Sequence, residues 1–198
     1  MEFLEEKYLR AVELWKEWNG KINVISRKDS DNIFSHHILH SLAIAEYLSE
    51  GGRSLDGCSI LDVGTGGGLP GIPLAMEYPG GKFTLCDSIG KKITVARAVS
   101  EGLDLGNVEC VNARAESLGR KFDYVVSRAV TSLDNFYPWV RGCFNNSILY
   151  LKGGDVNSEI STLCSRFKIT PSKITAWPIS SWLSDDYYSE KFVIEIRK

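Results

Sequence analysis

Ser59-Ile60-Leu61-Asp62-Val63-Gly64-Thr65-Gly66-Gly67-Gly68-Leu69-Pro70-Gly71-Ile72-Pro73 reads as a buried strand, a glycine loop and a helix start in immediate succession. The apolar run 60–63 suits a parallel strand covered on both faces, and an acid inside such a run is costly unless something pairs with it. Asp62 therefore requires a partner. Glycines at 64, 66, 67, 68 and 71 allow positive φ and close backbone approach, and Pro73 fits a first helical turn, where its missing N–H costs little. A loop built this way can wrap a small molecule; five glycines and a buried acid are hard to justify for a turn alone.

Register separates two nucleotide folds. Gly66, Gly68 and Gly71 spell G-x-G-x-x-G, but a dinucleotide fingerprint begins directly after its strand. There the frame is Gly64-x-Gly66-x-Gly68, with Leu69 where the last glycine belongs. An acid two residues before the first glycine, followed by G-x-G-x-G, resembles instead the opening of class I methyltransferases that use S-adenosylmethionine. No Gly-Lys-Ser/Thr follows, which excludes a P-loop.

Working outward, 198 residues with 43% hydrophobic content suffice for one core and a modest extension. No apolar stretch approaches the 18 or so residues of a membrane span, and the first residues are acidic where a signal peptide would be basic. The expected setting is the cytoplasm. Five cysteines, widely spaced and without a C-x-x-C pair, suit small core residues in a reducing compartment. A net charge of −2 gives no general attraction to nucleic acid, so any RNA binding must come from local patches.

Before the glycine loop, Leu4, Tyr8, Val12 and Trp15 fall at helical spacing, with Trp18 near the same stripe and Gly20 available to end the helix. The linker 18–27 carries aromatic, amide and basic groups and suits either a helix connection or a substrate surface. A second helix is expected from Ser30 or Asp31 to about Ser49, drawing its buried face from Ile33, Phe34, Ile38, Leu42, Ile44 and Leu48. All three histidines, His36, His37 and His40, lie on it. No cysteine or HExxH glutamate accompanies the i,i+4 pair His36 and His40, so no metal is expected, and the rings should be satisfied or solvent-facing. Gly51-Gly52-Arg53-Ser54 reads as a hinge. The expected organisation is an N-terminal helical extension, 1–52, packed on an α/β domain, 53–198.

After the loop, strands are expected at 83–87, 108–112, 122–127, 147–152, near 173–176 and 192–196, alternating with helices. This is a doubly wound, mostly parallel α/β sheet of seven strands, which binds ligands at the strands' carboxyl ends where the order reverses. Asp87 ends its strand, where an acid accepts bonds from ribose hydroxyls or caps the next helix. Ala113, Arg114, Ala115 and Glu116 would line the far side of an adenine pocket, and the fourth strand delivers Arg128, Ala129 and Val130 to the same edge.

Together these pieces resemble a known family. Asn19 to Arg27, His37-Ile38-Leu39 with Ser41-Leu42, the glycine stretch with its two prolines, Asp87-Ser88 with Lys91-Lys92, Arg114-Ala115-Glu116, Ser127-Arg128-Ala129 and Leu151-Lys152-Gly153-Gly154 are similar to bacterial small-subunit ribosomal RNA methyltransferase G, also called glucose-inhibited division protein B. The resemblance covers nearly the whole chain. It implies a Rossmann-like class I methyltransferase fold and methyl transfer from S-adenosylmethionine to N7 of a guanine in a 16S ribosomal RNA loop near the decoding centre. It implies further that Gly64, Leu69, Ala115, Glu116 and Arg128 contact or border the cofactor. His40 stands where many members are expected to carry aspartate.

The candidate cofactor-binding residues are thus Asp62, Gly64, Gly66, Gly68, Leu69, Asp87, Ala115, Glu116 and Arg128. Arg128 is also the candidate catalytic residue, able to stack on a purine or hold a phosphate, with a salt bridge to Glu116 or Asp87 as the alternative. Exocyclic-amine methylation is usually served by Asp/Asn-Pro-Pro-aromatic after the fourth strand, where this chain has Ser127-Arg128-Ala129-Val130. Pyrimidine C5 methylation needs a cysteine nucleophile, commonly after proline, and there is no Pro-Cys. Guanine N7 needs alignment but no general base. Ribose 2′-O methylation would want Lys152 with an acid at the strand end, yet Asp123 begins its strand; a non-catalytic RNA-binding module is the other alternative. The expected partner is 16S ribosomal RNA or the small subunit, approached by a monomer through a patch drawn from Lys21, Arg27, Lys28, Lys91, Lys92 and Arg97.

Overall fold

The computed structural model describes residues 2–198, with side chains from residue 6 onward. Seven strands, β1 (Ser59–Val63), β2 (Lys82–Asp87), β3 (Val108–Asn112), β4 (Phe122–Arg128), β5 (Phe144–Gly153), β6 (Ile174–Pro178) and β7 (Lys191–Arg197), form one sheet in the order 3-2-1-4-5-7-6. Pairing is parallel from β3 through β5; β7 runs antiparallel to both β5 and β6. Helices α1 (Glu2–Asn19), α2 (Leu39–Glu50), α3 (Gly71–Glu77) and α4 (Gly90–Gly102) contribute to one apolar cluster, and α5 (Leu133–Val140) with α6 (Val156–Phe167) to the other. β1 alternates accordingly: Ile60 joins the first cluster, Leu61 and Val63 the second.

Tyr8, Ala11, Leu14 and Trp15 form the buried stripe of α1, with Val12 half-buried; Leu4 lies outside the residues whose side chains are described. The helix expected from Ser30 or Asp31 is instead a 3₁₀ turn (Arg27–Asp29), a π-helical segment (Ile33–Ile38) and then α2. The wider turn, in which Leu39 N–H bonds Phe34 C=O, shifts the register by one residue and turns His37 and His40 inward with Ile33 and Ile38. The helices ahead of β1 share one apolar core with the sheet.

Arg53 is a tie as well as part of a connection. It donates at 2.6 Å to Glu195 of β7, whose carboxylate also accepts from Tyr47 and Ser147, each at 2.8 Å. Burial raises the Glu195 carboxyl, but these bonds outweigh it and hold it below the usual range.

Candidate active site

The strand order reverses between β1 and β4, and there, at the strands' carboxyl ends, lies a cavity of about 410 Å³. β1 supplies its anchor. Asp62 is wholly buried, and its Oδ2 accepts from Thr65 Oγ1 at 2.6 Å and Gly71 N–H at 2.9 Å, so one oxygen staples both ends of the glycine loop. Its Oδ1 has no hydrogen-bond partner. Burial outweighs the two bonds and pushes the carboxyl up to about 7. A Cβ on Gly71 would lie 2.2 Å from Leu85 and 2.8 Å from this carboxylate, so only glycine lets α3 start here.

β2 supplies the second acid. Asp87 Oδ2 accepts from Gly66 N–H at 3.1 Å and Oδ1 from Ile89 N–H at 2.9 Å, tying the loop to the approach of α4. An ionised carboxylate offers about four acceptor positions, and two remain for a diol. Gly66 at φ +58 opens to free space where a side chain would stand.

Gly64, Gly66, Leu69 and Asp87 line one side of the cavity; Ala115 with the exposed Glu116, and Arg128 at the end of β4, complete it. Two sequence candidates stand off it. Asp62 sits behind the loop, and Gly68, at φ +102, turns its face to Ile72. Among the lining residues that the sequence reading did not take as cofactor contacts are Val24, Cys86, Ile89 and Trp139. Ile89 carried a signal, an exposed apolar residue directly after Asp87-Ser88, whereas Trp139 reaches the site from α5 with no local mark.

Arg128 is half-buried, and nothing bonds its guanidinium among the described residues: burial lowers its pKa, while Tyr187, Asp62, Tyr188 and Asp29 act on it through space. The salt bridge to Glu116 or Asp87 is not formed. The next residue, Ala129, holds φ +49, a strained conformation for a residue with a Cβ. Beyond it the lip hangs from the core: Tyr150 Oη accepts from Val130 N–H at 2.9 Å and Thr131 N–H at 3.1 Å and donates to Thr131 C=O at 2.9 Å.

Lys152, the residue a ribose methyltransferase would use, pairs with Glu159 at 2.9 Å and donates to Thr131 C=O, away from the cavity. Asp123, at the far end of β4, accepts from Ser59 N–H and Oγ. The histidines correct an expectation. His36 is satisfied by Asp29 at 3.0 Å and stacks on Tyr187 at 3.7 Å, but His37 and His40 are buried with unpartnered ring nitrogens. Burial holds His37 down at about 4, so it is neutral near pH 7, and lowers His40 as well. Of the expected basic patch, Lys92 lines the cavity and Lys91, Arg27 and Lys28 are exposed. Lys21 pairs with Glu17, and Arg97 donates to Cys110 C=O.

An acid-anchored glycine loop after β1 and an acid closing β2, facing a cavity at the switch point of this sheet, define a class I S-adenosylmethionine-dependent methyltransferase. In solved structures the fold recurs in magnesium protoporphyrin IX methyltransferase from Synechocystis with bound S-adenosylmethionine, at a TM-score of 0.67 and 16% identity over 99% of this chain and 96% of that one. The family model described as rRNA small subunit methyltransferase G matches residues 4–180. Relatives named ribosomal RNA small subunit methyltransferase G include one from Christiangramia forsetii, 45% identical over 95% of this chain and 87% of its own length. Another, from Porphyromonas gingivalis, is 43% identical over 96% and 85%. The chain belongs to the rRNA small subunit methyltransferase G family and uses S-adenosylmethionine as methyl donor. Among the described residues, no helix is long and apolar enough to cross a membrane.

Proposed function

We propose that this enzyme methylates N7 of a guanine presented in a loop of 16S ribosomal RNA. The observation that carries this reading is the edge delivered by β4. It offers an unpaired guanidinium, Arg128, beside Ala129 and Val130, and no carboxylate or carboxamide to hold the hydrogens of an amine. Bound S-adenosylmethionine supplies an electrophilic methyl group. Guanine N7 carries an in-plane lone pair and no hydrogen, so what the protein owes the reaction is alignment and exclusion of water.

The residues present suit such a cofactor. Asp87 keeps acceptor positions for a ribose diol, Gly66 leaves space for close approach, and Ala115 with Leu69 supplies apolar wall. Asp62 fixes the loop from behind, and from there it favours the positive end of the cofactor across the loop or through a water. Arg128 orients the acceptor purine by stacking or holds its phosphate. Lys152, committed to Glu159, is not free to activate a ribose hydroxyl, which disfavours 2′-O transfer. The protein acts as a monomer in the cytoplasm, on the small subunit or its RNA.

The test is mass-spectrometric mapping of ribosomal RNA incubated with enzyme and labelled donor, using RNA from cells lacking the gene. A single 7-methylguanine in 16S RNA is expected; label on a ribose, on an exocyclic amine or nowhere would overturn the reading.

A further inference from the structure

Gly67 poses a question that the cofactor does not answer. Its φ is not in the left-handed region, so backbone conformation does not demand glycine there. What forbids a side chain is the N-terminal extension: a Cβ at 67 would meet Val24 Cγ2 at 2.8 Å and Val24 Cβ at 3.1 Å, with Trp15 Nε1 at 3.6 Å. Trp15 is wholly buried, and its indole N–H donates to Gly67 C=O at 2.7 Å. Val24 itself lines the cavity. Its placement is fixed by Asn19, whose Oδ1 accepts from Val24 N–H at 2.8 Å and Ile25 N–H at 2.9 Å while its Nδ2 donates to Ile25 C=O at 2.9 Å. Asn19 closes α1, so one helix end holds the glycine loop from outside and sets one wall of the cavity.

We propose that Trp15 and Asn19 are positioning residues for the cofactor, making the N-terminal extension a structural part of the cofactor site. The glycine loop is held from two sides, by Asp62 from the sheet and by Trp15 from the extension. The segment between Asn19 and Ile25 continues into the exposed Arg27 and Lys28, so a surface suited to phosphate and a wall of the cavity lie on one short run of chain. Force on that run by bound RNA reaches the glycine loop through Val24. The proposal rests on the reading that this cavity takes S-adenosylmethionine.

The test compares S-adenosylhomocysteine binding by calorimetry across variants of the full chain, at a temperature where each is folded. Trp15→Phe keeps an aromatic ring and removes the N–H; binding is expected to weaken about three- to tenfold, the range of one lost hydrogen bond. The methyl donor's KM should rise while kcat at saturating donor holds. Leu14→Ala damages the same helix where it packs on α4, away from the loop, and should leave affinity unchanged. Gly67→Ala should weaken binding, and Gly67→Ala with Val24→Ala should recover part of the loss, because the second change removes the methyl groups the first collides with. Unchanged affinity in Trp15→Phe, or equal losses in Trp15→Phe and Leu14→Ala, would overturn the proposal. So would absence of rescue should Trp15→Phe fail to fold. Asp87→Ala separates the two readings: if it weakens binding and Trp15→Phe does not, only the extension's role fails, and if neither does, the cavity assignment fails first.

Discussion

Asp62 makes the protein's stability depend on pH in a direction opposite to that of most carboxylates. Its carboxyl lies at about 7 in the folded chain against an ordinary 3.8, so between those values the folded state holds a proton that the unfolded state has released. Stability from this group is fully present below about pH 4 and is lost as pH rises through 7. At about 1.4 kcal/mol per pH unit, the three-unit gap is worth about 4 kcal/mol. Asp62→Asn keeps the shape and an acceptor for Thr65 and Gly71 but cannot ionise. Urea unfolding without cofactor at pH 5, 6, 7 and 8 covers about two of those three units and should show the wild type losing ground to Asp62→Asn by about 2.5 kcal/mol across the series, with similar m values. S-adenosylhomocysteine carries an ammonium group, so it should bind wild type more tightly as pH rises toward 8, while the asparagine variant stays flat. A stability difference that does not change with pH would refute the reasoning, since it would mean that the buried carboxyl titrates as it does in water.

Removing the acceptors for Gly66 and Ile89 with Asp87→Ala should weaken S-adenosylhomocysteine binding about tenfold or more, measured by calorimetry, with RNA affinity unchanged; equal loss of both would mark a folding defect. Arg128→Lys keeps the charge and loses the planar fork, so single-turnover methylation should fall about tenfold or more; an unchanged rate would remove Arg128 from acceptor positioning. Lys91→Glu with Lys28→Glu, both off the cavity wall, should weaken RNA binding and lower its salt slope by about 0.7 per lost phosphate contact, leaving the cofactor's affinity intact. A slope equal to wild type would place the RNA elsewhere.

How much of this was legible in the sequence follows the distance over which each feature is determined. The loop after β1 is local: strand, acid, glycines and helix start are consecutive, and Asp62, Gly64 and Gly66 fall where their spacing puts them. The strands were found for the same reason, with β3 matching residue for residue and β5 three residues longer at its start. The π-helical turn was not legible, because it trades good backbone geometry for side-chain burial that depends on Tyr187 and Tyr188, some 150 residues away. Trp139 was missed on similar grounds, since α5 is placed by packing on the sheet. Arg128 was found as a cavity residue, but its lack of a salt bridge among the described residues is a property of the assembled site that no spacing reveals. Gly67 was read only as one of the loop glycines that allow positive φ and close approach, and the structure shows that a valine and a tryptophan of the extension fill the space its side chain would need.

The strand order has a consequence for how this protein is made. β7 lies between β5 and β6, so residues 174–178 leave the ribosome with no strand to pair with, and one edge of β5 stays open until residues 191–197 follow. Glu195, which ties Arg53 and Tyr47 to the sheet, arrives on that same late strand. Vectorial synthesis can therefore assemble β1 to β5 early, but the nascent chain keeps an unzipped seam, with backbone donors and acceptors facing water, until residues 191–197 are outside the exit tunnel. An enzyme whose substrate is ribosomal RNA thus keeps its own sheet open until its seventh strand has cleared the ribosome that makes it.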